Sequence, residues 1–195
     1  MEELPRSARK YDRPGGAPWE LGRPQAAIAT LVARGRIRGR VLDAGCGSGH
    51  NTALLASVAR EVVGVDASAT AIARAEVPDN VDLRCGDVLS LAGERFDCVV
   101  DSGLYHNFDD DDRGRYLRML SRVLRSGGRL FLLVFSDLEP DGWGPRRISQ
   151  QHIRETFTTP WRVEAIEASI YENLVKPPAA QAWLATVRRG AGQAA

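Results

Sequence analysis

The residues best suited to chemistry are a series of acids and one histidine. Asp43 closes the apolar pair Val41-Leu42 and opens into Ala44-Gly45-Cys46-Gly47-Ser48-Gly49. Glycines at alternate positions let a backbone turn tightly and approach a ligand closely. The G-x-G-x-G spacing differs from the G-x-G-x-x-G of dinucleotide sites. A carboxylate at a strand tip is a poor neighbour for a pyrophosphate and suits a ligand with a cationic amine. Asp66 ends the next apolar run about twenty residues on, where an acid accepts ribose hydroxyls in adenosine-binding sheets. His106 follows Asp101-Ser102-Gly103-Leu104-Tyr105. Its unperturbed pKa near neutrality suits a general base that takes a proton from a phenol or a heterocyclic N–H. A hydrogen-bonded structural histidine is the competing reading.

Alternating strands and helices must position these groups. Strands are predicted over 40–44, 61–66, 81–85, 95–101 and 129–135, with the last, almost continuously apolar, at the centre. Helices are predicted over 24–35, 51–60, 69–75, 113–125 and 148–157 from apolar residues at helical spacing. Ser68 is a candidate cap for the third. Ser126-Gly127-Gly128 is read as the stop of the fourth. Strands over 161–169 and 182–188, joined only by a loop, form an antiparallel hairpin at the sheet edge. The fold class is therefore α/β: a single-domain, Rossmann-like, mostly parallel seven-stranded sheet with an antiparallel last strand and helices on both faces. An N-terminal arm or lid (1–24), the main domain (25–190) and a tail (191–195) complete the chain.

Composition narrows the function. The 195 residues carry 26 basic and 25 acidic groups, a net charge of +1, and nothing resembling a nucleic-acid footprint. The arginines clustered at 34, 36, 38 and 40 read as solvated surface, with an anionic partner as the minority reading. Cys46, Cys85 and Cys98 lack C-x-x-C spacing and read as small buried residues in a reducing compartment. No signal peptide or membrane span is expected, which implies a cytoplasmic protein without a membrane partner. Asp109, Asp110, Asp111 and Asp112 precede a helix and read as caps, since consecutive side chains diverge; no metal is expected.

Taken in order, Val41-Leu42-Asp43-Ala44-Gly45-Cys46-Gly47-Ser48-Gly49, Val63-Gly64-Val65-Asp66-Ala67-Ser68, Cys85-Gly86-Asp87-Val88, Phe96-Asp97-Cys98-Val99-Val100-Asp101 and Leu124-Arg125-Ser126-Gly127-Gly128-Arg129-Leu130 resemble the class I S-adenosylmethionine-dependent methyltransferases. Pro18-Trp19-Glu20-Leu21-Gly22-Arg23-Pro24-Gln25 and Asp101-Ser102-Gly103-Leu104-Tyr105-His106 are similar to segments of small bacterial small-molecule methyltransferases related to the thiopurine-methyltransferase-like branch.

The resemblance implies S-adenosylmethionine as cofactor. The methionine part would meet Gly45, Cys46, Gly47 and Gly49, with Asp43 toward the ammonium. Asp66 and Ala67 would meet the ribose, and Asp87 with the Val88 N–H the adenine. Asp101 and Ser102 would border the methionine moiety. Trp19 would cover the cofactor. Tyr11, Arg23, Tyr105, His106 and Trp143 would face a small, flat acceptor. The expected reaction is in-line methyl transfer to N or O of that acceptor. Alternatives are a thiol or halide acceptor, other cofactor-dependent chemistry, or a non-catalytic binding subunit. A monomer is favoured over a dimer.

Overall fold

The computed structural model describes residues 8–13, 16–175 and 179–191. Twelve regular elements follow in order: α1 (Ala26–Ala33), β1 (Arg40–Ala44), α2 (His50–Ala56), β2 (Glu61–Asp66), α3 (Ala69–Ala73), β3 (Val81–Cys85), β4 (Phe96–Ser102), α4 (Asp110–Val123), β5 (Leu124–Phe135), α5 (Gln150–Thr156), β6 (Trp161–Tyr171) and β7 (Ala180–Arg189). Short 3-10 turns lie at Ala8–Asp12, Val88–Ser90 and Tyr105–Asn107. Among the described residues no helix is long and apolar enough to cross a membrane.

The sheet order is β3-β2-β1-β4-β5-β7-β6. β1 to β5 pair in parallel, while β7 runs antiparallel between β5 and β6. This is the predicted α/β sheet with an antiparallel hairpin at its edge. Alternation along the central strands sends side chains into two cores. Leu42, Val63, Val99, Leu130 and Leu132 pack beneath α4 and α5 with Tyr116, Leu120 and Ile153. Val41, Val62, Val100, Phe131 and Leu133 pack on the other face with Ile28 and Leu55 of α1 and α2.

Several boundaries differ from expectation, two of them for a local physical reason. α4 begins at Asp110, because Asp109 accepts from the Asp112 N–H at 2.8 Å and caps it. β5 begins at Leu124, directly after α4, so the Ser126-Gly127-Gly128 stop lies inside a bulged strand. Gly128 lies there because a Cβ would sit 2.9 Å from the carbonyl oxygens of Arg125 and Asp97. Cys46 and Cys98 are buried, but Cys85 is exposed at the end of the edge strand β3.

Part of the predicted N-terminal arm and all but one residue of the predicted tail lie outside the described residues. The described part of the arm is packed: Tyr11 and Ala17 are buried against Ala71 of α3. The Trp19 indole N–H donates to the Tyr11 hydroxyl at 2.7 Å. Gln25 anchors the entry to α1. Its side-chain amide donates to the Glu172 carbonyl at 2.9 Å and accepts from the Glu172 N–H at 3.0 Å. The Glu172 carboxylate in turn accepts from the Ala26 N–H at 2.8 Å. This reciprocal pair joins segments 147 residues apart in the chain. Gln25→Ala strips both partners from the Glu172 backbone. The expected loss is about 2 kcal/mol of unfolding free energy, read by urea denaturation.

Candidate active site

The carboxyl ends of β1 to β5 open into one cleft of about 1190 Å³, roofed by the N-terminal arm and the loop after β5. Ligands bind at this end of open α/β sheets. At β1 the Gly45 and Cys46 N–H groups donate to the Val65 carbonyl, at 2.9 and 3.2 Å. The Gly47 N–H donates to one oxygen of Asp66 at 2.9 Å, and the Ser68 N–H to the other at 2.8 Å. Asp66 therefore ties the glycine loop to the end of β2 and keeps further lone pairs for a ligand. Burial raises its pKa, against the pull of those two N–H groups. Gly47 has φ of 56°, and a Cβ there would lie 2.3 Å from the Tyr11 hydroxyl. The arm also reaches the loop through Glu20, whose carboxylate accepts from the Ser48 hydroxyl.

Two acids lie beneath this surface. Asp43 is buried and accepts from the Thr52 hydroxyl at 2.6 Å. Burial pushes its pKa up to about 7, with the charges of Asp101 and Asp66 adding to the rise. Asp101 is fully buried and accepts from the Leu104 N–H at 2.9 Å, the Tyr105 N–H and the Tyr116 hydroxyl at 2.8 Å. Burial pushes it up to about 6 against those bonds. Neither acid is on the cleft wall, and neither is Gly49, which caps α2 at φ of 81°. Trp19, Gly45, Cys46, Gly47, Asp66, Ala67, Asp87, Val88 and Ser102 are on it, as are Tyr11, Arg23, His106 and Trp143. Asp87 also accepts from the Leu89 N–H at 2.9 Å and from Arg115 at 2.8 Å. The Ser102 hydroxyl oxygen is buried and has no hydrogen-bond partner among the described residues.

Tyr105, expected to face the acceptor, belongs to the core instead. Its ring packs against Tyr116 at 5.5 Å, and its hydroxyl meets the His152 ring nitrogen at 3.0 Å. The 3-10 turn sends neighbouring side chains apart, so Tyr105 points inward and His106 toward the cleft.

The general-base expectation for His106 finds no support in the hydrogen bonding of its ring. The Phe135 backbone N–H donates to its Nδ1 at 3.2 Å. That bond occupies the Nδ1 lone pair and places the ring proton of the neutral form on Nε2. Neither nitrogen has a free lone pair with which to take a proton. Burial, with the positive charges of Arg147 and Lys10, pushes the imidazole pKa down to about 3. Both the bond to Nδ1 and the lowered pKa favour the neutral ring.

Sequence reasoning missed several wall-forming and supporting residues. Phe135 and Tyr171 flank the His106 ring at 5.1 and 5.8 Å. Tyr171 packs over Gly103, where a Cβ would lie 2.6 Å from its hydroxyl. Trp143 donates to the buried Glu139 carboxylate at 3.2 Å. Arg147 donates to the carbonyls of Glu139, Pro140, Trp143 and Pro145, with its guanidinium 5.5 Å from the Phe135 ring centre and 5.8 Å from that of Trp143. The only local signal was the density of Pro, Gly and Trp with two arginines in 140–147.

A methyltransferase-domain family model matches residues 42–132. A 2-heptyl-1-hydroxyquinolin-4(1H)-one methyltransferase of Mycobacteroides abscessus is 34% identical over 167 residues, 80% of this chain and 74% of that protein. The chain belongs to the class I S-adenosylmethionine-dependent methyltransferases. A probable thiol methyltransferase of Arabidopsis thaliana is 33% identical and is matched over 82% of this chain and 73% of its own length. A structure solved in work on the conversion of a disulfide bond into a thioacetal group during echinomycin biosynthesis has a TM-score of 0.82 and 32% identity, covering 95% of this chain and 92% of that one. A Burkholderia thailandensis 1,6-didemethyltoxoflavin-N1-methyltransferase with S-adenosylhomocysteine bound has a TM-score of 0.66 and 26% identity, covering 85% and 77%.

S-adenosylmethionine is thus the cofactor of this methyltransferase, and the site fits it. The bare glycine loop, the remaining lone pairs of Asp66 and the unpartnered Ser102 hydroxyl face one cleft.

The buried acids make the stability of the methyltransferase depend on pH. An unfolded Asp ionises near its ordinary value of 3.8, whereas Asp43 in the fold ionises at about 7. The folded state binds the extra proton between those values, so its relative stability falls as pH rises through that window. Asp43→Asn removes the ionisation. The ligand-free variant should melt above wild type at pH 8, with the gain shrinking toward pH 5, in a pH series of thermal melts.

Proposed function

We propose that this methyltransferase acts on a nucleophilic oxygen or nitrogen of a small, flat aromatic or heteroaromatic acceptor. The observation that carries this reading is the aromatic wall on the β4–β5 side of the cleft: Phe135, Trp143 and Tyr171 around the His106 edge. Rings of this kind grip a flat molecule on its faces. The quinolinone and toxoflavin methyltransferases among its relatives are named for heteroaromatic acceptors, which supports the same reading.

The residue roles follow from position. Asp66 would accept the ribose hydroxyls, with Ala67 leaving space beside them. Asp87 and the Val88 N–H would meet the adenine. Gly45, Cys46, Gly47 and Ser102 would hold the methionine part, and Trp19 would cover it with Tyr11. Asp43 and Asp101 supply negative charge beneath the ammonium. Tyr11 and Arg23 border the acceptor entrance.

When bound, S-adenosylmethionine supplies a methyl group on a positively charged sulfur that leaves as a neutral thioether. The chain's own work is to hold the acceptor in line and exclude water. Orientation of this kind contributes on the order of 7–11 kcal/mol.

A thiol acceptor is the second reading, favoured by the 33% identity to a probable thiol methyltransferase. Incubation with S-adenosylmethionine and a panel of phenols, N-heterocycles, thiols and iodide, read by mass spectrometry, separates the two. Methylated ring products are expected; methylation of thiols alone would replace the first reading with the second.

Arg147 is a positioning residue in this scheme, since it fixes the loop that carries Trp143. Lysine lacks the planar fork that meets several carbonyls at once. Arg147→Lys should raise the acceptor KM roughly fivefold to tenfold while leaving the Kd for S-adenosylhomocysteine unchanged, by steady-state kinetics and calorimetry.

A further inference from the structure

We propose that the acceptor binds as the anion of an acidic ring hydroxyl, its oxygen accepting from the His106 Nε2–H between the cationic groups of Lys10 and Arg147. This rests on the flat-acceptor reading and narrows it to molecules that shed their proton before transfer.

The geometry starts from Phe135. Its backbone N–H occupies His106 Nδ1, so the Nε2–H is the polar edge left to the cleft. Nε2 has no hydrogen-bond partner among the described residues, although His106 is only 4% exposed and lies against Phe135 and Tyr171. A donor of fixed direction that opens onto the cleft is placed to meet an acceptor atom on the ligand.

The surrounding charge sets which acceptor. Lys10, on the cleft wall with its ammonium 5.0 Å from the Trp19 ring centre, comes from the N-terminal turn, and Arg147, its guanidinium 5.5 Å from the centre of the Phe135 ring that flanks His106, comes from the loop after β5. Both act on the imidazole as positive neighbours. Tyr171, on β6, is held neutral by burial and by the negative charges of Asp101 and Glu20. Those two carboxylates are held by the Leu104 and Tyr105 N–H groups and by the Ser48 hydroxyl, and the charges that act on the His106 ring are those of Arg147 and Lys10. A neutral donor flanked by two cations favours an oxygen anion over a protonated phenol or a neutral amine.

The chemistry balances without a base. An oxygen that has left its proton in solvent would have the electron pair for the new O–CH₃ bond; the S–CH₃ bond would break with its pair kept by sulfur, so the anion and the sulfonium give a neutral ether and a neutral thioether. Nothing remains for a histidine to remove.

The test uses the full-length protein with S-adenosylhomocysteine and two rings that differ by one ionisable oxygen, 4-nitrophenol and nitrobenzene. Nitrogen-15 spectra of the imidazoles should show the cleft histidine, assigned by its loss in His106→Asn, neutral with its proton on Nε2. Above the pKa of free 4-nitrophenol, the phenolate should bind roughly tenfold to a hundredfold tighter than nitrobenzene. Its visible absorbance should show that the bound form stays ionised below that pKa. In His106→Asn, the Oδ1 can still accept from Phe135 while the amide stops short of the Nε2 position, so the preference for the anion should shrink by about tenfold. His106→Gln, which returns a donor near that position, should restore part of it. A proton on Nδ1, an imidazolium, or equal binding of the two rings overturns the proposal while leaving the flat-acceptor reading in place. If neither ring binds, the flat-acceptor reading fails and this inference with it.

Discussion

The site depends on a carboxylate that has no contact with solvent. Asp101 ends β4 inside the core and gathers the Leu104 and Tyr105 N–H groups and the Tyr116 hydroxyl. A buried carboxylate is tolerated only when such donors offset its lost hydration. Here they also fix the chain's path, because two of them belong to the turn that leaves the strand. Tyr105 is driven into the core against Tyr116, and His106 is left facing the cleft. The Phe135 N–H then fixes the imidazole from the neighbouring strand. A core electrostatic interaction thereby decides what a surface-lining residue can do.

The same economy recurs in the irregular segments. The arm is held by Tyr11 and Glu20 on the glycine loop and by Gln25 on Glu172. The loop after β5 has few regular hydrogen bonds and is fastened by one guanidinium to four of its carbonyls. Both segments complete the cleft without belonging to the sheet. The sheet supplies a rigid floor, and the side-chain-to-backbone bonds of these segments set the walls.

Charge is divided between two sides of the cleft. Beneath the glycine loop stand Asp43 and Asp101, with Asp66 at the surface, which suits a cofactor that carries an ammonium and a sulfonium. Around His106 stand Lys10 and Arg147. The acids come from β1, β2 and β4, and the cations from the N-terminal turn and the loop after β5.

The sequence alone determined the sheet, its antiparallel edge hairpin, the glycine loop and the acids at the strand ends. These follow from local patterns: apolar runs of strand length, helical spacing, and glycines where a turn needs them. Asp43, Asp66, Asp87 and Asp101 could be named because each follows a readable strand. The tertiary structure decided which of them face a ligand. Asp66 and Asp87 reach the cleft, while Asp43 and Asp101 support it from below, and strand position does not distinguish the two cases. It also decided that Tyr105 packs inward, that Arg147 and Glu139 hold Trp143, and that Tyr171 completes the wall. The role of His106 is the clearest instance. Its pKa near neutrality in isolation suggested a base, but its proton is placed by a backbone N–H 29 residues away. Direction and desolvation of a side chain come from long-range contacts, and those contacts have no signature in the residues next to it.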